Sequence, residues 1–408
     1  FSKPTRSHRH TQWHPSWQVG AFPYILWKGV NGAATGGALN FTSAEQTIMW
    51  PDQVFLDRLG ISLPIIQAPM AGAVGAATVI AVARAGGLGS LPCAMLSVDK
   101  IRNEIGVIQQ QVNNPINLNF FCHQPIVPKT ADEAAWKEHL APYYDEFGLD
   151  KFVDAPSSNR APFDNAMCEV VEEARPGVVS FHFGLPEQAL LDRVKATGAL
   201  VLSSATTVAE AKWLADRGCD AIIAQGLEAG GHRGIFLSNN ITTQPGTLAL
   251  VPQVVDAVSV PVIAAGGIAD GRGIAAAFAL GAVAVQMGTA YLFTPEAMIS
   301  ELHRTALSQA SDDTTALTNL FSGRPARGIM NRVMREIGPM SNKAPAFPTA
   351  GGALAPLKAA AEAAGGTEFT SLWSGQAAAL GRPMGAEELT QALATEAAHR
   401  LAEIAQKT

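Results

Sequence analysis

The sequence is short of charge, of paired cysteines and of long apolar runs, and each shortage removes a class of protein. Charged residues make up 16% of the 408, with 35 acids against 29 Lys plus Arg and a formal net charge of −6. No broad basic field exists to attract nucleic acid or an anionic membrane surface, so any phosphate contact must be local. The four cysteines, Cys93, Cys122, Cys168 and Cys219, form no C-x-x-C pair. A chain this long needs no disulfide staples, so they read as buried free thiols of a reducing cytoplasm. No run reaches the roughly 18–20 apolar residues that span a bilayer. No G-x-G-x-x-G follows the first expected strand, which argues against an open dinucleotide-binding sheet. The G-x-S-x-G elbow of many hydrolases and the H-E-x-x-H pair of zinc enzymes are also missing, and no metal site is expected.

What is present is small and apolar: 48% hydrophobic residues and 38 glycines. Residues 1–48 carry Pro4, Pro15 and Pro23 among His, Trp and Gly, without steady periodicity. The prolines argue against an amphipathic transit helix and no compact apolar core of a secretion signal stands out, though a targeting leader stays open as an alternative. They read as a disordered extension or a translation artefact, and a chain starting at Met49 is expected to keep the fold.

From residue 61 one unit recurs: a short apolar run, a turn of small residues, then an alanine-rich helical stretch. The expected strands are Ile65–Pro69, Leu88–Pro92, Ile116–Phe121, Val178–Phe183, Leu200–Ser204, Ala221–Gln225, Val262–Ala265 and Val283–Met287. Helices are expected over Thr78–Ala85, Glu187–Thr197, Val208–Arg217 and Gly271–Leu280. Continuous apolar strands separated by helices imply parallel strands buried on both faces. Eight in series predict an α/β, TIM-type (β/α)8 barrel, over residues 49–294. Residues 122–177 are too long for one connection and read as an insertion after strand 3. Residues 295–408 read as extra C-terminal helices packed on the barrel mouth.

In such a barrel, chemistry gathers where strands end. Gln67–Gly72 (QAPMAG) ends strand 1 with residues small enough for a flat ring to approach; alone it is an ordinary Gly/Pro turn. Asn117 and Asn119 share one face of strand 3 by alternation, and a buried amide there needs partners. Gly266 and Gly267 end strand 7 ahead of a helix at Asp270–Gly271, and Gln286–Thr289 ends strand 8. Backbone N–H groups at these two turns, with the helix N-terminus, would make an anion site without lysine. His232 sits among glycines in Gln225–Gly234, which leaves its imidazole open to a ligand rather than packed in a core. His182 ends strand 4 beside two phenylalanines.

Taken together, QAPMAG, NLNFF, VVSFHFGLP, AQGLEAGGHRG, PVIAAGGIADGRG, VQMGTAYL and FSGRPARGIMNR resemble the FMN-dependent nitronate monooxygenases, once called 2-nitropropane dioxygenases. The likeness runs from about Met49 almost to the C-terminus. It implies oxidation of alkyl nitronates, of the propionate 3-nitronate type, by O2 to a carbonyl compound and nitrite. It further implies His232 as catalytic base and His182 as a second active-site histidine. FMN contacts are implied at Met70, Asn119, Gln225, Gly230, Gly231, Gly267, Gln286, Met287, Gly288 and Thr289. FMN rather than FAD is expected, since one phosphate cradle is present and no adenylate motif. The partners are then a small nitronate and O2, with neither nucleic acid nor membrane; a homodimer is compatible with the sequence. Two other readings stay open: an NAD(P)H-dependent FMN reductase of quinones or enoyl thioesters, and a non-catalytic flavin- or phosphate-binding barrel.

Overall fold

The computed structural model describes residues 50–127, 129–150 and 160–407. The expected N-terminal extension, with Met49, lies outside the described residues. The eight barrel strands are β1 (Ile65–Gln67), β2 (Ser90–Pro92), β3 (Asn117–Phe121), β4 (Val178–His182), β5 (Leu200–Ala205), β6 (Ala221–Gln225), β7 (Val262–Ala265) and β8 (Ala284–Met287). All pair in parallel, in the order β1-β8-β7-β6-β5-β4-β3-β2. A parallel bridge between Ile66 and Leu88 joins β1 to the β2 side and closes the ring. The chain is therefore a (β/α)8 barrel, as the alternation of runs predicts. Strand residues such as Ile65, Leu118, Val179, Ile222 and Ile263 are fully buried, which fits strands covered on both faces.

Several polar residues inside the barrel are paired with neighbouring strands or turns. Gln67 Oε1 accepts from the Ser90 amide at 2.9 Å, and Asn117 Nδ2 donates to Ser90 Oγ at 3.0 Å. Ser203 Oγ on β5 lies 2.9 Å from the Gly184 carbonyl. Unpaired, each buried polar group would cost about 1–3 kcal/mol.

Segment 122–177 holds two kinds of structure. Helices Thr130–His139 and Ala141–Glu146 form the insert, whereas Asn165–Ala174 takes the place of a ring helix, packed beside Val98–Gln109 and Gln188–Ala196. The insert docks on the C-terminal segment through a separate apolar cluster that includes Trp136, Tyr144, Phe321, Leu357 and Phe369. Trp136 Nε1 donates to the Ala350 carbonyl at 3.0 Å, and Tyr144 Oη to that of Ala353 at 2.7 Å.

The C-terminal segment differs from a purely helical cap in two ways. Thr315–Thr318 and Ala326–Ile329 are strands, and they pair antiparallel with each other. Ala326 and Arg327 then pair with His232 and Gly231, making a small three-stranded sheet. Strands of four residues leave too short an alternation to read, and their partner is far away in sequence. The last helix, Ala386–Ala405, does not cover the mouth. It packs in the ring between Gly271–Ala279 and Ala76–Arg84, where a helix following β8 belongs. Leu389 and Leu393 are buried there, each worth roughly 1.5–3 kcal/mol.

Candidate active site

The C-terminal ends of β3 to β6 bring two histidines together. His182, the last residue of β4, has both ring nitrogens engaged. Nδ1 lies 2.6 Å from Ser204 Oγ on β5, and Nε2 lies 3.3 Å from the main-chain oxygen of His232. A carbonyl can only accept, so Nε2 carries the proton and Nδ1 accepts from the serine hydroxyl.

His232 is presented differently. Its backbone is gripped by Ala326 in the small sheet, and Gln225 Nε2 donates to its carbonyl at 3.0 Å. Gln225 Oε1 accepts from the Gly234 amide at 2.8 Å, so this side chain braces both sides of the histidine. Arg233, fully buried, donates to the carbonyls of Gly226 and Gln225 and to Gln244 Oε1, pinning the loop to the end of β6. The His232 ring itself has one anchor, Ser322 Oγ, 2.9 Å from Nε2. Ser322 Oγ in turn lies 3.3 Å from the Arg324 carbonyl, to which it donates. This chain places the proton on Nε2, and among the described residues the His232 ring makes no hydrogen bond through Nδ1.

Four aromatic rings wall this end. His232 lies 5.5 Å from Trp373 and 5.6 Å from Phe347 between ring centres, and 6.1 Å from Phe183 and 6.5 Å from Phe121. His123, also buried, stands edge-on to Phe347 at 4.8 Å. The charged neighbours are cationic. Burial, then Arg324, pushes His182 down to about 3; burial, then Arg324, takes His123 to about 4. His232 is held well below the usual histidine range by burial first and then by Arg160, His182 and Arg324. Neutral histidines beside guanidinium groups form a pocket suited to an anion.

The other end of the site lies at β7, β8 and β1. The turn after β1 touches the turn after β8, where the Ala68 amide donates to the Met287 carbonyl at 2.8 Å. Met70 is partly buried over this junction. Met287 itself points into the core at 1% exposure, so it offers the mouth no side chain. Gly266 and Gly267 have φ of 109° and 71°, and Gly267 is exposed. Only glycine adopts successive positive φ angles readily, and the turn aims its amides outward. Among the described residues, the amides of Gly266, Gly267 and Gly288 have no protein acceptor. Gly230 and Thr289 complete this end, with segment 374–376 clamped across them: the Gly375 amide donates to Thr289 Oγ1 at 2.8 Å and that of Gln376 to the Glu228 carbonyl at 3.0 Å.

One expectation fails at this end. The helix Gly271–Ala279 does not lend its N-terminus to an anion. Asp270 accepts from the amides of Arg272 and Gly273, and Glu396 Oε2 accepts from that of Gly271 at 3.2 Å. Two carboxylates already occupy it, so an anion must be met by the glycine turns alone.

The residues present fit a flavin mononucleotide. The amides of the two glycine turns suit a phosphate. The Oε1 atom of Gln286, buried without a donor, suits an N–H on the edge of a polar ring. Asn119 Nδ2 is tied to Ser180, at 2.9 Å from its Oγ, so its amide stiffens the floor. Ser204, Ser322, Arg324, Phe347 and Trp373 were not singled out in the sequence; Ser322 and Arg324 lie inside FSGRPARGIMNR, and that motif was their only signal.

Comparison with known proteins identifies the family and the fold. The family described as nitronate monooxygenase matches residues 53–396. A nitronate monooxygenase from Pseudomonas aeruginosa is 42% identical over 344 residues, spanning 84% of this chain and 98% of its own. One from Paraburkholderia phytofirmans is 42% identical over 349 residues, spanning 84% and 94%. The solved structure of a nitroalkane oxidase from Streptomyces ansochromogenes superposes with a TM-score of 0.78 at 36% identity, covering 86% of this chain and 99% of that one.

Proposed function

The chain belongs to the nitronate monooxygenase family, and from that premise we propose that it uses FMN and O2 to convert small alkyl nitronates, of the propionate 3-nitronate type, to a carbonyl compound and nitrite. It is a flavin-dependent oxidoreductase. The observation that carries the finer reading is the His232 ring, anchored at Nε2 on Ser322 and open at Nδ1 in a wall of aromatic rings.

Gly230, Gly231, Gly267, Gly288 and Thr289 would hold the FMN phosphate, and Gln286, Met70 and the floor formed by Asn119 and Gln225 would meet its ring. Bound there, FMN would supply the electron acceptor for the substrate and pass electrons to O2. The protein's own part is electrostatic and steric. A nitronate is already an anion, and uncharged imidazoles beside guanidinium groups receive it without repulsion. A neutral nitroalkane must first lose its α-proton, and the open Nδ1 of His232 is the group to take it. His182, with both nitrogens bonded, acts by holding the His232 main chain. Phe121, Phe183, Phe347 and Trp373 keep water from the reacting carbon. Four buried free thiols suit a reducing cytoplasm, and among the described residues no helix is long and apolar enough to cross a membrane.

The test is the spectrum of the purified holoenzyme with and without ethyl nitronate under air, with nitrite measured in parallel. Bleaching followed by reoxidation, with nitrite release, is expected. Anaerobic NADH or NADPH should not reduce the flavin rapidly; rapid reduction without nitrite release would replace this reading with a reductase.

A further inference from the structure

The nitronate reading leaves one charged group unexplained. Arg324 lies between the small sheet and the aromatic wall, with its guanidinium carbon 4.1 Å from the centre of the Phe183 ring and 5.8 Å from that of Phe347. Phe183 in turn lies 4.4 Å from the His182 ring. Arg324 is half-buried, its Nη1 is sealed from solvent, and that atom has no hydrogen-bond partner. Among the described residues no carboxylate pairs with it. Burial lowers its pKa from the ordinary arginine value, and a guanidinium keeps its charge in proteins.

Its position is built into the backbone. Gly323 has φ +90°, and a Cβ there would lie 2.3 Å from the Pro345 carbonyl. Glycine alone permits the turn of 322–324 to press against 345–347. Ser322 faces His232 on one side of this turn, and Arg324 enters the aromatic box on the other. A buried N–H of a charged group without an acceptor costs more than a neutral one. A planar anion with two oxygens in the guanidinium plane would satisfy it, and the flanking rings would hold the fork in that plane.

We propose that Arg324 is the anion-recognising, specificity-determining residue of this site, donating from its guanidinium edge to a planar two-oxygen anion of the substrate. The inference rests on the nitronate reading and deepens it. Both the nitronate group and a carboxylate tail have this chemistry. Arg324 selects the ionised substrate, whereas His232 serves the neutral one.

The experiment compares the holoenzyme with Arg324→Met and Arg324→Lys, after checking flavin content and melting temperature. Steady-state kinetics are measured with ethyl nitronate, propionate 3-nitronate and nitroethane, and succinate binding is measured by calorimetry. Loss of a charge-assisted hydrogen bond should raise KM for the nitronates in Arg324→Met by about 10- to 100-fold, with kcat little changed. KM for nitroethane should stay within about twofold, and Arg324→Lys, which keeps the charge but not the fork, should fall between. A rise for both nitronates assigns the nitronate oxygens to Arg324; a rise for propionate 3-nitronate alone, with weaker succinate binding, assigns the carboxylate tail. Equal effects on nitronates and nitroethane, or no effect on KM and succinate binding, overturn the proposal. If the parent fails to oxidise nitronates yet binds succinate through Arg324, the nitronate reading falls and the anion site stands.

Discussion

The imidazole of His182 donates from Nε2 to the main-chain carbonyl of His232 across 3.3 Å, so one histidine holds the backbone of the other. Removing His182 should therefore act through His232. In a double-mutant cycle of His182→Ala and His232→Asn, the two losses in kcat/KM for nitroethane should fall short of additivity by roughly 0.5–3 kcal/mol. Additive losses would mean that His182 contributes independently of its neighbour.

His232→Asn alone should affect the neutral substrate most. Loss of a general base costs roughly 10²–10⁴-fold, and that loss should appear in nitroethane turnover. Ethyl nitronate, which needs no deprotonation, should lose less, and FMN should remain bound. A variant that oxidises nitroethane as fast as the parent shows that His232 is not the base; a variant without flavin shows that it belongs to the cofactor site.

Ser322 decides which nitrogen of His232 is free. In Ser322→Ala the Nε2–H loses its acceptor, at a cost of about 1–3 kcal/mol, and the ring is no longer held in one tautomer. Nitroethane turnover should fall about tenfold or more and nitronate turnover much less, with Ser322→Thr restoring most of the difference. Equal losses on both substrates would point to general damage instead.

Stability should decline on the acid side of neutrality. His123 and His303 are pushed down to about 4 and His182 to about 3, in each case chiefly by burial. Unfolded histidine titrates near 6.5, so below that pH the unfolded chain takes up protons that the folded chain refuses. The stabilisation is complete above about pH 6.5 and is lost as pH falls toward the folded values, by up to roughly 1.4 kcal/mol per pH unit for each such histidine. His303 donates from Nε2 to the Trp373 carbonyl at 3.2 Å, and its ring is buried. His303→Gln retains an N–H donor and should make the decline shallower by about one proton between pH 6.5 and 4.5. Urea unfolding at several pH values checks this; superimposable slopes for parent and variant would contradict it.

At the glycine turn after β7, φ +71° is incompatible with a β-branched residue, and a Cβ on Gly267 would lie 3.3 Å from that of Glu228. Gly267→Val should weaken flavin binding by about tenfold or more while far-UV circular dichroism stays the same. Flavin released by heat from the parent should migrate as FMN. Full flavin occupancy of the variant, or FAD from the parent, would sink the assignment.

The barrel was legible before the fold was known. Ala221–Gln225 and Val262–Ala265 appear in the structure with the bounds their apolar runs suggest, and the other six strands differ only at their ends. Strands buried on both faces carry a local signature, because most residues along them are apolar or small and the few polar ones must find partners. The position of His232 at the mouth was legible in its glycine neighbours, which cannot cover an imidazole themselves, although rings from elsewhere in the chain partly bury it.

The sequence by itself thus determined the ring of strands, the glycine turns at β7 and β8, and the two histidines at the strand ends. Only the tertiary structure decided what surrounds them. Ser322 reaches His232 from 90 residues away, and Glu396 closes the Gly271 helix terminus from 125 residues away. The small sheet that grips His232 joins chain segments with no shared periodicity. Contacts of that kind depend on how the cap packs on a finished barrel and how the last helix completes its outer ring. No local pattern of side chains carries that information, because each segment taken alone satisfies its own propensities equally well without the other.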